Sequence, residues 1–141
     1  SIDHKDVNGT NYMLQAAERG HLDIMKYLFE KGCPISEKNR YHDTCITIAS
    51  YGGYLDIIQW LYQQGCSLQE MNQQGTCLMN ASKKSHEDLI VWMIHNGSSL
   101  DENTYLDSNG DVHESKTCKE ILEYNGIYDK IKMICSTKSS K

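Results

Sequence analysis

The strongest constraint on this chain is that its sequence says nearly the same thing three times. Gly20-HLDIMKYLFEKGCPI, Gly53-YLDIIQWLYQQGCSL and Ser85-HEDLIVWMIHNGSSL align without gaps, at offsets of 33 and 32 residues. Upstream of each lies a second matching piece: Asp6-VNGTNYMLQAA, Asn39-RYHDTCITIAS and Asn72-QQGTCLMNAS. A period of this length means one supersecondary unit stacked on its own copies, because a single unit cannot bury its hydrophobic face alone.

Each unit has the same physical logic. A turn-forming Asp6, Asn39 or Asn72 precedes a short apolar stretch, which in the first unit is Met13, Leu14, Ala16 and Ala17. Small pairs at Ala16/Ala17, Ala49/Ser50 and Ala81/Ser82 let two helices approach closely. A Gly or Ser then breaks the helix. The next segment carries Leu22, Met25, Leu28 and Phe29 at helical spacing. Gly32, Gly65 and Gly97 follow, suited to the left-handed residue that closes a helix. The pattern predicts a helix, a tight turn, a longer helix, a glycine stop and a turn-rich connection.

The residues D-x-x-G at Asp6 to Gly9, A-A-x-x-G-H-L-D at Ala16 to Asp23, and the Gly32 stop before Cys33, Pro34 and Ile35 resemble the ankyrin repeat family. The frame recurs as Ala49-SYGGYLD and Ala81-SKKSHED. The resemblance runs over about residues 6–136. It implies an all-α solenoid of stacked helix-turn-helix units with β-turn fingers. The units fall at about 6–38, 39–71, 72–103 and 104–136, with a disordered tail expected over 137–141.

The departures carry information too. The family's T-P-L-H block is degraded to Asn11-Tyr12-Met13-Leu14, Thr44-Cys45-Ile46-Thr47 and Thr76-Cys77-Leu78-Met79, which suggests lower local stability. Unit three lacks one residue after Gly75. In the divergent fourth unit, Asp107-SNG resembles a unit start, an insertion follows, and short helices are expected at about Ser115–Tyr124 and Tyr128–Cys135. Lys130 falls where Ile24 falls in unit one, and a charge at that stacking position reads as the water-facing end of a C-terminal cap. Unit one shows no such polarisation, since Leu22, Ile24, Met25, Leu28 and Phe29 are all apolar, so further repeats are expected ahead of Ser1.

Composition narrows the function classes. The net charge is −5 and the pI about 5.6, which argues against nucleic acid or an anionic membrane as the main partner. Apolar runs reach only a few residues, so no membrane insertion is expected. The opening SIDHKD lacks the features of a secretory leader.

Six cysteines in 141 residues are the one unusual count. Cys33 and Cys66 are 33 apart, and Cys45 and Cys77 are 32 apart, so four of the six sit at repeat-equivalent positions. Equivalent sites in packed helices lie about 10 Å apart, beyond the roughly 7 Å between Cα atoms that a disulfide spans. Reduced, structural thiols and a reducing, cytoplasmic location are expected, with the nucleus a further option. There is no C-x-x-C and no paired histidine spacing, so no metal is expected. His21 and His86 occupy the repeat's own G-H-L slot. His42 and Cys45 straddle a turn and a helix start, which makes a poor nucleophile–base pair. The acidic stretch from Asp101 to Asp111 fails the EF-hand register in both threadings and reads as a long polar finger. Trp60 and Trp92, 32 apart, share their place with Tyr27 and read as inter-repeat packing.

The expected function is protein binding without catalysis or cofactor. In the family, partners meet the variable finger and first-helix residues, and this carries over to Asn8, Arg40, Tyr41, Asp43, Gln73 and Gln74 at the fingers. It also carries over to Arg19, Tyr51, Lys83 and Lys84 at the first-helix exits. Arg40, Tyr41 and Tyr51 are expected to form an Arg–aromatic cluster, a composition enriched in interface hot spots. Lys83 and Lys84 point to an acidic or phosphorylated segment in the partner. The chain is expected to be a monomer. The alternative is a targeting domain of a larger enzyme or host-directed effector whose chemistry lies outside this sequence.

Overall fold

The computed structural model describes residues 5–139, about half of them helical. Unit one contains α1 (Tyr12–Arg19) and α2 (Leu22–Glu30), and unit two α3 (Cys45–Gly52) and α4 (Leu55–Gln63). Unit three opens with the two-residue strands β1 (Met71–Asn72) and β2 (Gly75–Thr76), then α5 (Cys77–Lys83) and α6 (Glu87–His95). Unit four has β3 (Thr104–Leu106), β4 (Val112–Glu114), α7 (Cys118–Tyr124) and α8 (Tyr128–Ser139). The strands form antiparallel hairpins, β1 with β2 and β3 with β4, and the longer one registers Tyr105 opposite His113.

Local chemistry explains the boundaries. Asn11, Thr44, Thr76 and Thr117 stand before the four first helices, and each side chain accepts the amide three residues on. Thr44 with Thr47, and Thr117 with Glu120, close full capping boxes. The degraded T-P-L-H block therefore keeps its capping function. Helices α1 and α3 end at Gly20 and Gly53, in left-handed backbone at φ 77° and 76°. These two glycines have a second duty. A Cβ on Gly20 would meet the Tyr54 ring at 2.6 Å, and one on Gly53 would meet the His86 ring.

Those rings are inter-unit ties. Tyr54 Oη donates to the Glu18 carbonyl at 3.4 Å, and His86 Nε2 lies 2.7 Å from the Tyr51 carbonyl. A carbonyl only accepts, so this contact places the His86 proton on Nε2. In unit four Ile127 replaces the ring residue, and Asn125 takes over by donating to the Ser82 carbonyl at 3.0 Å.

First helices α1, α3, α5 and α7 pack side by side as one row, and their small residues Ala17, Ala49 and Ala81 are fully buried. Second helices meet through aromatic edges: Phe29 against Trp60, and Tyr62 against Trp92, both at 5.4 Å between centroids and near 90°. These pairs give the stack a direction. The Phe29 position looks forward to the next unit, and the Tyr27/Trp60/Trp92 position looks back.

Ile24, Ile57, Leu89 and Lys130 lie one turn before that backward position. Ile57 and Leu89 are buried, whereas Ile24 is 48% exposed and Tyr27 58% exposed on unit one. Lys130 adds a contact that the sequence did not give. Most of its side chain lies in solvent, and its Nζ reaches back to Glu87 of unit three, 2.8 Å from Oε1. The period gives the phase of a position but not which neighbour it meets.

Two further differences concern unit four. Its first helix starts at Cys118 rather than Ser115, because Val112–Glu114 is committed to the hairpin and Thr117 caps the helix. Cys118 thus follows its capping Thr as Cys45 and Cys77 do, a fifth repeat-equivalent cysteine hidden by the insertion. Helix α8 runs through Ser139, three residues past the unit boundary at 136. Ser140 and Lys141 of the expected tail lie outside the described residues.

Candidate interaction face

The finger tips are shaped by one side chain each. Asp6 Oδ1 accepts the amides of Asn8 (2.8 Å) and Thr10 (3.0 Å). Asn39 Oδ1 does the same for Tyr41 and Asp43, Asn72 for Gln74, and Asp107 for Asn109 and Asp111. Such Asx turns let a short polar side chain stand in for backbone hydrogen bonding. The acidic finger of unit four is explained in the same way. Asp107 Oδ2 takes the His113 Nε2–H at 2.6 Å, and this bond, with those from its own loop amides, holds its carboxyl below the usual carboxylate range.

The fingers are tied to one another. Arg40 N donates to the Asn8 carbonyl at 2.8 Å, and Tyr41 Oη donates to Asn8 Oδ1 at 3.2 Å. Asp43 accepts Asn39 Nδ2 at 3.3 Å and Asn72 Nδ2 at 2.9 Å, bridging the second and third fingers. Asn80 Nδ2 donates to Asn72 Oδ1 and to the carbonyls of Gly75 and Thr76. The fourth finger rests on the second, with His42 Nε2 at 3.4 Å from the Ser108 carbonyl.

Between fingers and first helices run two adjoining clefts of about 430 and 400 Å³. They share Glu18, Tyr41, Asp43 and Ile48, so together they form a groove across units one to three. Seven of the ten residues expected at a partner surface line it: Asn8, Arg19, Tyr41, Asp43, Tyr51, Gln73 and Gln74. The other three flank it. Arg40 lies over the Tyr41 ring at 5.9 Å and Lys84 over the Tyr51 ring at 5.3 Å. Lys83 Nζ donates to the Gln74 carbonyl at 2.7 Å and to Gln74 Oε1 at 3.3 Å. The expected Arg–aromatic cluster is thus two separate cation–π pairs whose tyrosines share one cleft.

Sequence reasoning did not pick out Asn72, Asn80, Glu18 or Ile48 as groove residues. Asn80 falls inside an apolar helical pattern, and only the finger geometry brings it to the cleft. Its amide nitrogen is assigned by three acceptors around it, which leaves Asn80 Oδ1 as a buried acceptor without a partner.

Burial works against Cys45, Cys66, Cys77 and Cys118 as nucleophiles. None of these four is in a disulfide. Burial pushes Cys77 and Cys118 up to about 12 and Cys66 up to about 11, and raises Cys45 further still. A raised thiol pKa withholds the reactive thiolate at neutral pH. Cys45 is buried, while His42 is turned to the fourth finger in left-handed backbone at φ 67°.

A row of paired helices with hairpin-like fingers and a groove between them defines the class: a helical repeat solenoid. Residues 13–62 match the family model described as ankyrin repeats (many copies), and the units beyond them keep the same helix-turn-helix architecture. Ankyrin repeats are general protein–protein interaction modules. No curated protein matches the sequence. Among the described residues, no helix is long and apolar enough to cross a membrane.

Proposed function

We propose that the groove between the fingers and first helices of units one to three is the surface on which this chain binds a protein partner. The observation that supports this most is that the side chains differing most between units, Tyr41, Tyr51, Gln73 and Gln74, converge on one cleft. Meanwhile the repeating residues Asn39, Asn72 and Ala49 are used up in turns and packing. The scaffold is spent on holding the tips, and the tips are left for recognition.

In this reading the chain has no catalysis of its own, binds as a monomer inside the reducing cytoplasm, and uses the Lys83–Lys84 edge for an acidic stretch of the partner. The high thiol pKa values favour the non-catalytic reading over an enzyme built on Cys45. The test is a triple variant, R40A/Y41A/Y51A, used as bait beside the parent chain. All three side chains are exposed, so the melting curve is expected to stay in place while partner capture is lost. A partner retained equally by both baits overturns the assignment.

A further inference from the structure

The groove's charge is distributed unevenly, and this bears on what it can take. Three carboxylates, Asp6, Glu18 and Asp43, line the two clefts against one cation, Arg19. Arg40, Lys83 and Lys84 stand outside the lining and are engaged with Tyr41, Gln74 and Tyr51. Asp43 and Asp6 already accept hydrogen bonds from the fingers. The Glu18 carboxylate makes no ion pair among the described residues. Asn80 also lines the larger cleft, and its fully buried side chain has an amide oxygen with no donor. A buried acceptor left unpaired is unfavourable until a donor reaches it.

Two tyrosine rings line the same cleft, and Tyr51 already holds an ammonium, that of Lys84, at 5.3 Å. Unfilled acceptors, net negative charge and aromatic walls are the complement of a planar, donor-rich cation. We propose that the cleft between Tyr41 and Tyr51 seats an arginine side chain of the partner, its guanidinium stacked on tyrosine and donating toward Glu18 and Asn80. This rests on the interaction-face reading and adds to it: the central residue of the bound segment is basic, with any acidic neighbour placed toward Lys83.

Lys84 gives the proposal its sharpest test. It competes for the Tyr51 ring and repels an incoming cation, so an arginine ligand and an acidic ligand respond to its removal in opposite directions. The measurement is a two-dimensional NMR titration of the 141-residue chain with three blocked pentapeptides, Gly-Ser flanked, carrying arginine, citrulline or phosphoserine at the centre. The arginine peptide is expected to shift the amides of Tyr41, Tyr51, Gln73 and Asn80 and to bind about ten-fold tighter than its citrulline twin. Glu18→Gln weakens it severalfold, and Lys84→Gln tightens it. Equal binding of arginine and citrulline, absence of shifts with the arginine peptide, indifference to Glu18→Gln, or weakening by Lys84→Gln overturns the proposal. Shifts of the same amides by the phosphoserine peptide alone also overturn it while leaving the interaction face itself standing. That face falls only with the triple-alanine partner assay.

Discussion

Units two and three differ from the two ends of the stack at one repeated position, and the difference separates what a repeat needs from what its neighbours supply. Ile57 and Leu89 are fully buried. Ile24 has the same place and the same kind of side chain, yet it is half exposed because no described unit covers it. Lys130, again at that place, stays largely in solvent and pairs with Glu87 at the edge of unit three. Burial here is a property of the interface and not of the residue, as expected when stability is a sum of unit and nearest-neighbour terms.

The comparison breaks most visibly at the isoleucines. Ile57→Ala is expected to lower unfolding stability by about 2–4 kcal/mol, the usual loss for a fully buried aliphatic side chain. Ile24→Ala should remain within about 1 kcal/mol, because much less area returns to water. Urea denaturation of the two variants checks this, and equal losses would mean that the end unit is covered after all. Next comes the finger network. Asn72→Ala removes the acceptor of the Gln74 amide, the donor to Asp43 and one acceptor of Asn80, and should cost about 1–3 kcal/mol. Amide exchange should rise first at Gln74, while the second helices stay protected. The smallest effect belongs to Lys130→Ala. The pair is exposed and screened by salt, so the melting temperature should not move measurably. A clear drop would show that Lys130 acts as a stacking residue and not as a surface tie.

The period, the helix breaks and the small residues of the first helices were legible in the sequence, because each follows from backbone chemistry at a fixed spacing. The direction of the stack was not. Lys130 was placed at its repeat position, but its tie to Glu87 was not legible, since a one-dimensional period has no front or back. Cys118 escaped because the insertion in finger four lengthens its offset from Cys77 to 41 residues against 32 for Cys45 to Cys77. At the groove, finger tips such as Tyr41 and Gln73 could be read as exposed loop positions. Asn80 could not, because its role depends on three acceptors that belong to another part of the unit.

The way the fingers are joined has a mechanical consequence. On the groove side, units are linked by short polar bonds in series, from Asn8 to Arg40 and from Asp43 to Asn72. On the opposite side, the second helices of the first three units touch through ring edges that can slide. A beam stiff along one edge and compliant along the other bends in one sense only. Spreading the fingers would break hydrogen bonds, whereas closing them displaces only ring-edge contacts, so bending meets less resistance toward the groove than away from it.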